Sequence, residues 1–355
     1  MSYGNFQSLH ELGWGSPLAR QLVLDGDDAL VPVRVLEVHR DKLRVAGESI
    51  NNLIEVPILA ERTDDEGAPT VGDWLLLDPG TLHFGRLLER QSLFKRRAAG
   101  TSGKTQLIAA NIDTVFIVSS CNKDFNEARL ERYLVLAREA NVFPVVVLTK
   151  ADLSDSPESY AKRASRLLPS LLVETVNALD PDSVLKLAPS CGTGQTVVLL
   201  GSSGVGKSTL VNSLTQSDAT ATQSVRDDDD KGRHTTTGRA FYRLKDGGWL
   251  VDTPGMREIQ LTDAATGISQ VFDEIESLAA ACRYGDCTHR SEPGCAVRSA
   301  IERGELDESR LTRWRKLEAE ERRNSETLAE RRARDKDFGK MVRSVMRNKT
   351  DKRSR

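Results

Sequence analysis

The stretch that decides the fold of this chain is Gly201-Ser202-Ser203-Gly204-Val205-Gly206-Lys207-Ser208. It fits G-x-x-x-x-G-K-[ST], the pattern of a phosphate-binding loop. The apolar residues 196–200 before it predict a buried strand, and residues 209–214 after it predict the start of a helix. A strand, a glycine-rich loop and a helix in this order are the setting that the motif requires. The stretch therefore predicts an α/β domain that binds a nucleoside triphosphate.

The residue types in the loop suit this chemistry. Glycines let the backbone wrap closely round an anion, so that successive N–H groups point inward, and the helix N-terminus adds partial positive charge. Lys207 can reach the β- and γ-phosphates, and Ser208 can hold Mg²⁺. The alternative is a Gly/Ser-rich turn with no ligand. The predicted phosphate-binding residues are Gly201, Ser202, Ser203, Gly204, Val205, Gly206, Lys207, Ser208 and Thr209.

A second element specifies the base of the nucleotide. Thr149-Lys150-Ala151-Asp152 follows the apolar run 143–148 and matches [NT]-K-x-D, the guanine-recognition element of GTPases, with Thr149 where many GTPases have Asn. A carboxylate at Asp152 accepts hydrogen bonds from the guanine N1–H and 2-amino groups, and adenine would leave that acceptor unpaired. Lys150 would lay its stem along the base plane. The alternative is that Asp152 only caps a helix.

A third element follows the phosphate loop. Trp249-Leu250-Val251-Asp252-Thr253-Pro254-Gly255 predicts a strand that ends in D-T-P-G. Asp252 would hold Mg²⁺ through water, and the Gly255 N–H would meet the γ-phosphate. The polar residues 225–238 lie between the two elements, include His234 and three consecutive threonines, and suit a switch loop.

The order of these elements along the chain is unusual. The guanine element precedes the phosphate loop, whereas ordinary GTPases place it last. This order predicts a circularly permuted domain, a rearrangement that is tolerated where the old termini lie close together at the surface. Because of it, the D-T-P-G segment leads directly into the C-terminal part of the chain.

Three of the five cysteines form a metal-binding pattern with a histidine: Cys282, Cys287, His289 and Cys295. Three thiolates and one imidazole suit a closed tetrahedral zinc site, and the absence of an open position makes it structural. The alternative is free thiols beside a chance histidine. Cys121 and Cys191 fit ordinary buried or loop cysteines.

The N-terminal third has a different pattern. Short β runs between residues 30 and 94 are separated by turn residues, and they predict a small all-β barrel. An oligonucleotide-binding barrel is favoured over an SH3-like one. Residues 1–30 suit an arm that packs on a neighbouring domain, and the basic residues 90–100 suit a linker.

Length and composition fit a soluble protein of two or three domains, with 355 residues, 39% hydrophobic and 29% charged. Neither an 18-residue apolar run nor a secretory signal pattern occurs, so we expect no membrane span and a cytoplasmic location. Residues 310–355 carry 17 Lys/Arg against 8 Asp/Glu, although the whole chain has a net charge of -2. A basic tail indicates contact with nucleic acid, with a solvated charged helix as the alternative.

Together these motifs resemble the circularly permuted, ribosome-small-subunit-dependent GTPases of the RsgA/YjeQ family. The resemblance covers nearly the whole chain and is strengthened by four further stretches: Ala98-Ala99-Gly100, Ile108-Ala109-Ala110-Asn111-Ile112-Asp113, Gly232-Arg233-His234-Thr235-Thr236-Thr237 and Cys287-Thr288-His289. It implies an oligonucleotide-binding (OB-like) barrel in residues 1–100, a circularly permuted α/β P-loop GTPase in 101–268 and a zinc-containing α-helical domain in 269–355.

The resemblance also implies a function. A member binds the small ribosomal subunit and its rRNA near the decoding region and assists late maturation. The subunit stimulates hydrolysis of GTP to GDP, and we expect hydrolysis to be coupled to release of a monomeric protein. The alternatives are an RNA-binding assembly factor in which GTP is a switch with little turnover, and an ATP-using P-loop enzyme, against which Asp152 argues.

One catalytic part is missing from the sequence. Met256 follows the D-T-P-G segment, where Ras-type enzymes place the glutamine that orients water. We therefore expect slow intrinsic turnover, and His234 is our candidate for positioning the water when RNA orders the switch loop. The alternative is that His234 packs the loop or contacts RNA.

Overall fold

The structure is a computed structural model, and it describes residues 8–22, 29–39, 42–48, 50–55, 67–97, 105–215, 239–252, 261 and 263–325. The strands are β1 (Val31–Val38), β2 (Lys42–Gly47), β3 (Ile50–Glu55), β4 (Trp74–Leu77), β5 (Phe84–Leu87), β6 (Leu93–Arg97), β7 (Thr105–Ala110), β8 (Thr114–Ser120), β9 (Phe143–Thr149), β10 (Leu172–Thr175), β11 (Thr196–Gly201), β12 (Arg239–Arg243) and β13 (Trp249–Asp252). The helices are α1 (Ser16–Ala19), α2 (Glu127–Glu139), α3 (Pro157–Ser165), α4 (Pro181–Val184), α5 (Lys207–Leu214), α6 (Ala265–Val271), α7 (Asp273–Ala280), α8 (Ala296–Glu302) and α9 (Glu308–Ser325).

A twisted sheet with strand order β10-β9-β8-β11-β13-β12 forms the middle of the molecule. Its first five strands are parallel, and β12 runs antiparallel to β13. Successive residues of a strand point to opposite faces. Ile117 of β8 accordingly packs in one apolar core with Leu134 of α2, and Val118 packs in another with Leu210 of α5. Helices on both faces explain why these strands are apolar along their whole length.

The first five strands form the predicted small all-β unit. β1 pairs with both β2 and β4, β2 pairs with β3, and β4 pairs with β5, all antiparallel. Their alternating residues enclose a separate core of Val33, Val35, Leu43, Val45, Leu75 and Leu77. The C-terminal end of β1 also pairs with β12, through Glu37 opposite Ala240 and Val38 opposite Arg239. The small unit is thereby joined directly to the α/β sheet.

The prediction of a basic linker over residues 90–100 was wrong for its middle part. Residues 93–97 form β6, which pairs antiparallel with β7. The physical reason is Phe94, whose side chain is only 2% exposed, so burial of its ring outweighs the polarity of the basic residues that follow. The domain boundary predicted between residues 100 and 101 falls in the segment that joins β6 to β7, outside the described residues.

The N-terminal arm packs on the α/β sheet, as predicted. Leu12 and Leu18 are buried, and the indole Nε1 of Trp249 on β13 donates to the Glu11 carbonyl at 2.7 Å. Arg34 of β1 is also buried and donates to the Leu12 carbonyl at 2.5 Å. Its guanidinium lies over the Phe241 ring of β12. The N-terminal arm and β12 therefore both contact the buried guanidinium of Arg34 on β1.

The C-terminal helices are clamped to the α/β unit by buried charges. Glu131 of α2 is fully buried and accepts hydrogen bonds from Arg310 and Arg313 of α9, each at 2.7 Å. Arg310 also bonds Glu274 at 2.6 Å and lies over the Phe272 ring. The predicted helical pattern after Ala296 is confirmed as far as Ser325, and the basic tail beyond it lies outside the described residues. Among the helices that the structure describes, none is long and apolar enough to cross a membrane.

Candidate nucleotide and metal sites

The phosphate loop lies where β11 ends and α5 begins, as the motif predicts. Gly201 and Gly206 both adopt positive φ, +155° and +94°. A Cβ at Gly201 would lie 2.4 Å from the Val118 carbonyl oxygen of β8, so this position requires glycine. Gly206 is the residue before the first turn of α5, and its carbonyl oxygen accepts a hydrogen bond from the Leu210 N–H at 3.0 Å. The loop therefore turns directly into a helix N-terminus, which favours an anion.

Lys207 begins α5 and folds back across the loop. Its ammonium donates to the Gly201 carbonyl at 2.8 Å and to the Ser202 carbonyl. Ser203 and Gly204 are exposed, whereas Ser208 and Thr209 are half-buried on the first turn. The arrangement places a positive charge, a hydroxyl and the N-terminus of a helix round one loop, which is what a triphosphate with Mg²⁺ requires.

Residues 149 and 150 tie the guanine element to the phosphate loop. The hydroxyl of Thr149 lies 2.5 Å from the Val205 carbonyl oxygen and 3.1 Å from that of Ser119. The Lys150 ammonium donates to the Gly204 carbonyl at 2.8 Å. The parallel strands β9 and β11 end at the same edge of the sheet, so elements 52 residues apart in the sequence meet there. Thr149 thus contacts the phosphate loop directly, a role that its sequence position did not reveal.

Asp152 lies in a single 3-10 turn, Ala151–Leu153, and is exposed. It does not act as a helix cap, because Lys150 precedes that turn and Ser156 is the N-cap of α3. The carboxylate is therefore available to a base.

The turn that follows β10 lies beside the guanine element. The Ala151 N–H donates to the Val176 carbonyl at 3.4 Å, and the Ser213 hydroxyl of α5 donates to the Ala178 carbonyl at 2.6 Å. The backbone of residues 176–178 therefore lies between the phosphate helix α5 and the turn that carries Asp152.

Several predicted residues cannot be placed in the site. β13 ends at Asp252, parallel to β11, so its backbone reaches the edge that carries the phosphate loop. The Asp252 side chain, Gly255, Met256, His234 and the rest of the predicted switch loop lie outside the described residues. Their roles remain predictions.

The four predicted metal ligands come together. The ligand atoms of Cys282, Cys287, His289 and Cys295 all lie within 4.8 Å of one another. The Sγ atoms of Cys282 and Cys295 are 3.9 Å apart, and each lies 3.5 Å from Nδ1 of His289. Zinc–sulfur and zinc–nitrogen bonds of ordinary length in a tetrahedron would give separations of about 3.8 Å and about 3.6 Å. The cluster therefore fits one four-coordinate zinc ion bound through Nδ1.

The surroundings of the cluster act differently on its ligands. Desolvation raises the pKa of Cys282, but hydrogen bonds from the backbone of Val297 and Ala296 and from the side chains of Cys295 and Cys287 together leave that pKa below its usual value. Desolvation raises the pKa of Cys287 to about 11. Burial, with the nearby charge of Arg315, lowers the pKa of His289 and so favours the neutral imidazole that a metal requires. Arg315 of α9 also donates to the Thr288 and His289 carbonyls at 2.9 and 2.5 Å. The metal loop is therefore held from outside by α9.

We expect removal of the metal from this cluster to destabilise the C-terminal helices. A strong chelator, or Cys287→Ser, should release about one equivalent of zinc and lower the melting temperature, because the four ligands then lose their common partner. Zinc content and thermal unfolding measure this effect. Cys121→Ser is the matched control, since Cys121 is buried away from the cluster, and it should keep its zinc. A protein that melts identically with and without chelator would contradict a structural metal.

The phosphate loop, the adjoining [NT]-K-x-D turn and the sheet order define a P-loop GTPase fold in which the guanine element comes first. Comparison with known proteins agrees. Residues 87–262 match the RsgA GTPase family. The chain is 49% identical over 351 residues to "Small ribosomal subunit biogenesis GTPase RsgA 2" of Vibrio parahaemolyticus, covering 98% of this chain and 94% of the relative. This chain belongs to the RsgA GTPase family.

Further relatives and solved structures are similar over most of the chain. A Mesorhizobium japonicum protein, "Small ribosomal subunit biogenesis GTPase RsgA", is 48% identical, covering 90% of this chain and 91% of the relative. YjeQ from Thermotoga maritima shares the fold with a TM-score of 0.59 at 23% identity, covering 81% of this chain and 97% of that one. YloQ, described as a circularly permuted GTPase, gives a TM-score of 0.58 at 20% identity, covering 85% and 98%.

Proposed function

We propose that this protein hydrolyses GTP to GDP and phosphate while bound to the small ribosomal subunit, and that it assists late maturation of that subunit. The observation that carries the proposal is the junction of the guanine element with the phosphate loop, through Thr149 to Val205 and Lys150 to Gly204. A guanine nucleotide would bridge these two elements. The small subunit as partner is supported by the names of the relatives, which describe small ribosomal subunit biogenesis GTPases.

Each residue of the site has a separate role in binding GTP, Mg²⁺ or the base. Lys207 exchanges its contacts with loop carbonyls for the β- and γ-phosphate oxygens, and the loop N–H groups bind the same phosphates. Ser208 and Asp252 are the residues that would hold Mg²⁺, since hydroxyl and carboxylate oxygens suit that ion, which neutralises charge on the phosphates. Asp152 selects guanine, and the Gly255 N–H senses the γ-phosphate. Zinc, bound by Cys282, Cys287, His289 and Cys295, has a structural role only.

The partner surfaces are proposed from architecture. The β1–β5 unit shares β1 between two sets of strands, which suits an OB-like barrel that binds rRNA. We divide the chain into residues 1–100, 101–268 and 269–355, and we propose a cytoplasmic monomer.

If hydrolysis drives release, the protein should cosediment with small subunits in the presence of a non-hydrolysable GTP analogue, and much less in the presence of GDP. Equal cosedimentation with both nucleotides would show that hydrolysis does not drive release.

Asp152→Asn should change the base that the protein accepts. The amide oxygen of the variant can still accept the guanine N1–H, but its N–H faces the 2-amino group, so guanine loses one hydrogen bond. Xanthine has a carbonyl oxygen at that position and gains one. We expect GTP affinity to fall by at least about 100-fold, and xanthosine triphosphate to bind more tightly than GTP. Nucleotide competition measures this, with Asp155→Asn, an exposed acid on the adjoining loop, as control. Unchanged GTP preference would remove Asp152 from the base site.

His234→Ala should separate binding from catalysis. If His234 positions the water, subunit-stimulated turnover falls by about 10²- to 10⁴-fold while GTP affinity stays within twofold. Turnover with saturating small subunits, beside nucleotide binding, measures both effects. His10→Ala serves as control, because His10 belongs to the N-terminal arm. Full stimulated turnover in His234→Ala would assign the water to another group.

A further inference from the structure

The C-terminal end of β1 is paired on both of its edges, with the small β unit on one side and with the α/β unit on the other. Glu37 lies opposite Arg44 of β2 on one edge and opposite Ala240 of β12 on the other edge. Ala240 in turn lies opposite Asp252 of β13. One row of the sheet therefore runs from the small β unit to Asp252, a predicted Mg²⁺ residue.

A bulge in β1 makes this arrangement possible. The register with β2 shifts between Val35 and Glu37. Residues 31–34, before the bulge, pair with β4, whereas the two residues after it pair with β12. A bulge bends a strand and increases its twist, so the same edge of β1 leaves the small β unit and meets the α/β sheet. β12 starts at Arg239, directly after the predicted switch loop 225–238, so β1 is anchored where that loop ends.

The side chain of Arg34 holds the hairpin of β12 and β13 from the same side. Arg34 is only 2% exposed, and its guanidinium carbon lies 4.9 Å from the centre of the Phe241 ring of β12. The guanidinium donates to the Leu12 carbonyl at 2.5 Å and to the Asn111 carbonyl, between β7 and β8, at 2.9 Å. One side chain of β1 therefore contacts the N-terminal arm, β12 and the connection into the α/β unit.

Trp249, the first residue of β13, makes a second contact between the hairpin and the N-terminal arm. Its indole N–H donates to the Glu11 carbonyl at 2.7 Å, and its ring meets that of Phe241 edge-on, with centres 5.7 Å apart. Arg243, at the end of β12, lies over the same indole and pairs with the Glu11 carboxylate at 3.5 Å. Both strands of the hairpin are thus held by side-chain contacts outside the α/β sheet.

We propose that Arg34 is a positioning residue that couples the small β unit to the nucleotide. The hairpin has the predicted switch loop before it and the D-T-P-G segment at its end, and segments of both kinds respond to the γ-phosphate. Because Arg34 and the row through Glu37 hold this hairpin against the arm and β2, the small β unit shares the hairpin's response. Coupling is reciprocal, so a partner of the small β unit biases the nucleotide site by the same free energy. The inference rests on the proposed function in taking GTP as the ligand.

The test is hydrogen–deuterium exchange of the full chain, with GDP and with a non-hydrolysable GTP analogue, both in Mg²⁺. Exchange of the phosphate loop, residues 201–208, reports nucleotide binding itself. The readout of coupling is β2, residues 42–47, which β1 separates from the hairpin. We expect its exchange rate to differ at least about fivefold between the two nucleotides, the lower end of ordinary coupling between sites.

Arg34→Lys should abolish the difference in β2 and keep the response of the phosphate loop. The variant retains the charge near Asp113, but an ammonium group cannot lie flat on Phe241 while it reaches two carbonyls. The matched control is Arg86→Lys, which should keep the difference. Arg86 of β5 also donates to a carbonyl of the N-terminal segment, that of Gln21 at 2.7 Å, but β5 pairs with β4 and, among the described strands, not with β12. A purely structural role of Arg34 would raise exchange equally with both nucleotides.

A second pair of variants keeps the test decisive if Arg34→Lys does not fold. Trp249→Phe retains an aromatic ring but loses the hydrogen bond to the Glu11 carbonyl, and it should reduce the difference in β2 about twofold or more. Trp74→Phe is its control, because the indole N–H of Trp74 is buried without an acceptor in the described part of the chain. No difference in β2 of the wild type, or the same difference in Trp249→Phe and in folded Arg34→Lys, overturns the coupling. Subunit-stimulated GTP turnover is measured on the same preparations, so failure of the proposed function would be seen separately.

Discussion

Lys207→Ala is expected to lower GTP turnover at least about 100-fold, with and without a stimulating partner. The ammonium already lies over the phosphate loop, within hydrogen-bond distance of Gly201 and Ser202. Without it, nothing replaces the positive charge that stabilises the β- and γ-phosphates as the bond breaks. Loss of one such preorganised donor costs about 10²- to 10³-fold in rate. Steady-state phosphate release measures the effect.

The matched control for this prediction is Lys186→Ala. Lys186 also donates to a backbone carbonyl, that of Thr175 at 2.9 Å, and Thr175 ends β10 at the same edge of the sheet. This control should keep wild-type turnover. Both variants should melt within a few degrees of the wild type, because both amines are at least partly solvated. Turnover of Lys207→Ala within twofold of the wild type would contradict the assignment of residues 201–208 as the phosphate site.

Glu131→Ala is expected to have the largest effect on stability. The carboxylate is 0% exposed and is the shared acceptor of Arg310 and Arg313. Its removal leaves Arg310 buried beside Phe272 without that partner. Breaking a buried pair by deleting one member typically costs about 3–5 kcal/mol. Denaturant unfolding of the metal-loaded protein measures the loss, and α9 should detach from α2 before the α/β sheet unfolds.

The control for this cluster is Glu320→Ala. Glu320 pairs with Arg132, again between α9 and α2, but both side chains are partly exposed, 33% and 27%. An exposed pair contributes less than about 1 kcal/mol, so this variant should be nearly neutral. If Glu131→Ala were equally neutral, the helix–helix contact would rest on apolar packing and not on buried charge.

The site could be predicted from sequence because its chemistry is local. The phosphate loop is eight consecutive residues, the guanine element four, and the metal ligands lie within fourteen residues. Backbone geometry alone brings such residues together. The small β unit was also predictable, because its short β runs are separated by turn residues. The strand β6 was missed because three consecutive basic residues follow Phe94, and the sequence pattern gives their charge more weight than the burial of one ring.

Long-range contacts could not be predicted in the same way. The carboxylate of Glu131 meets a guanidinium 179 residues away in sequence, at Arg310, and no local pattern pairs the two. A signal was nevertheless present, since Glu131 lies between Leu130 and Leu134 on the apolar face of α2. An acid at such a position indicates a buried cation. Arg34 and the Thr149 hydroxyl gave no comparable signal, because their partners are backbone carbonyls.

GTP turnover with and without purified small ribosomal subunits tests the central claim most directly. We predict slow turnover by the protein alone and stimulation of at least about tenfold by small subunits, since the partner completes the catalytic arrangement. Large subunits and Lys207→Ala should give no stimulation. Turnover that is the same with and without small subunits would contradict the account, and it would favour an RNA-binding assembly factor for which GTP is only a switch.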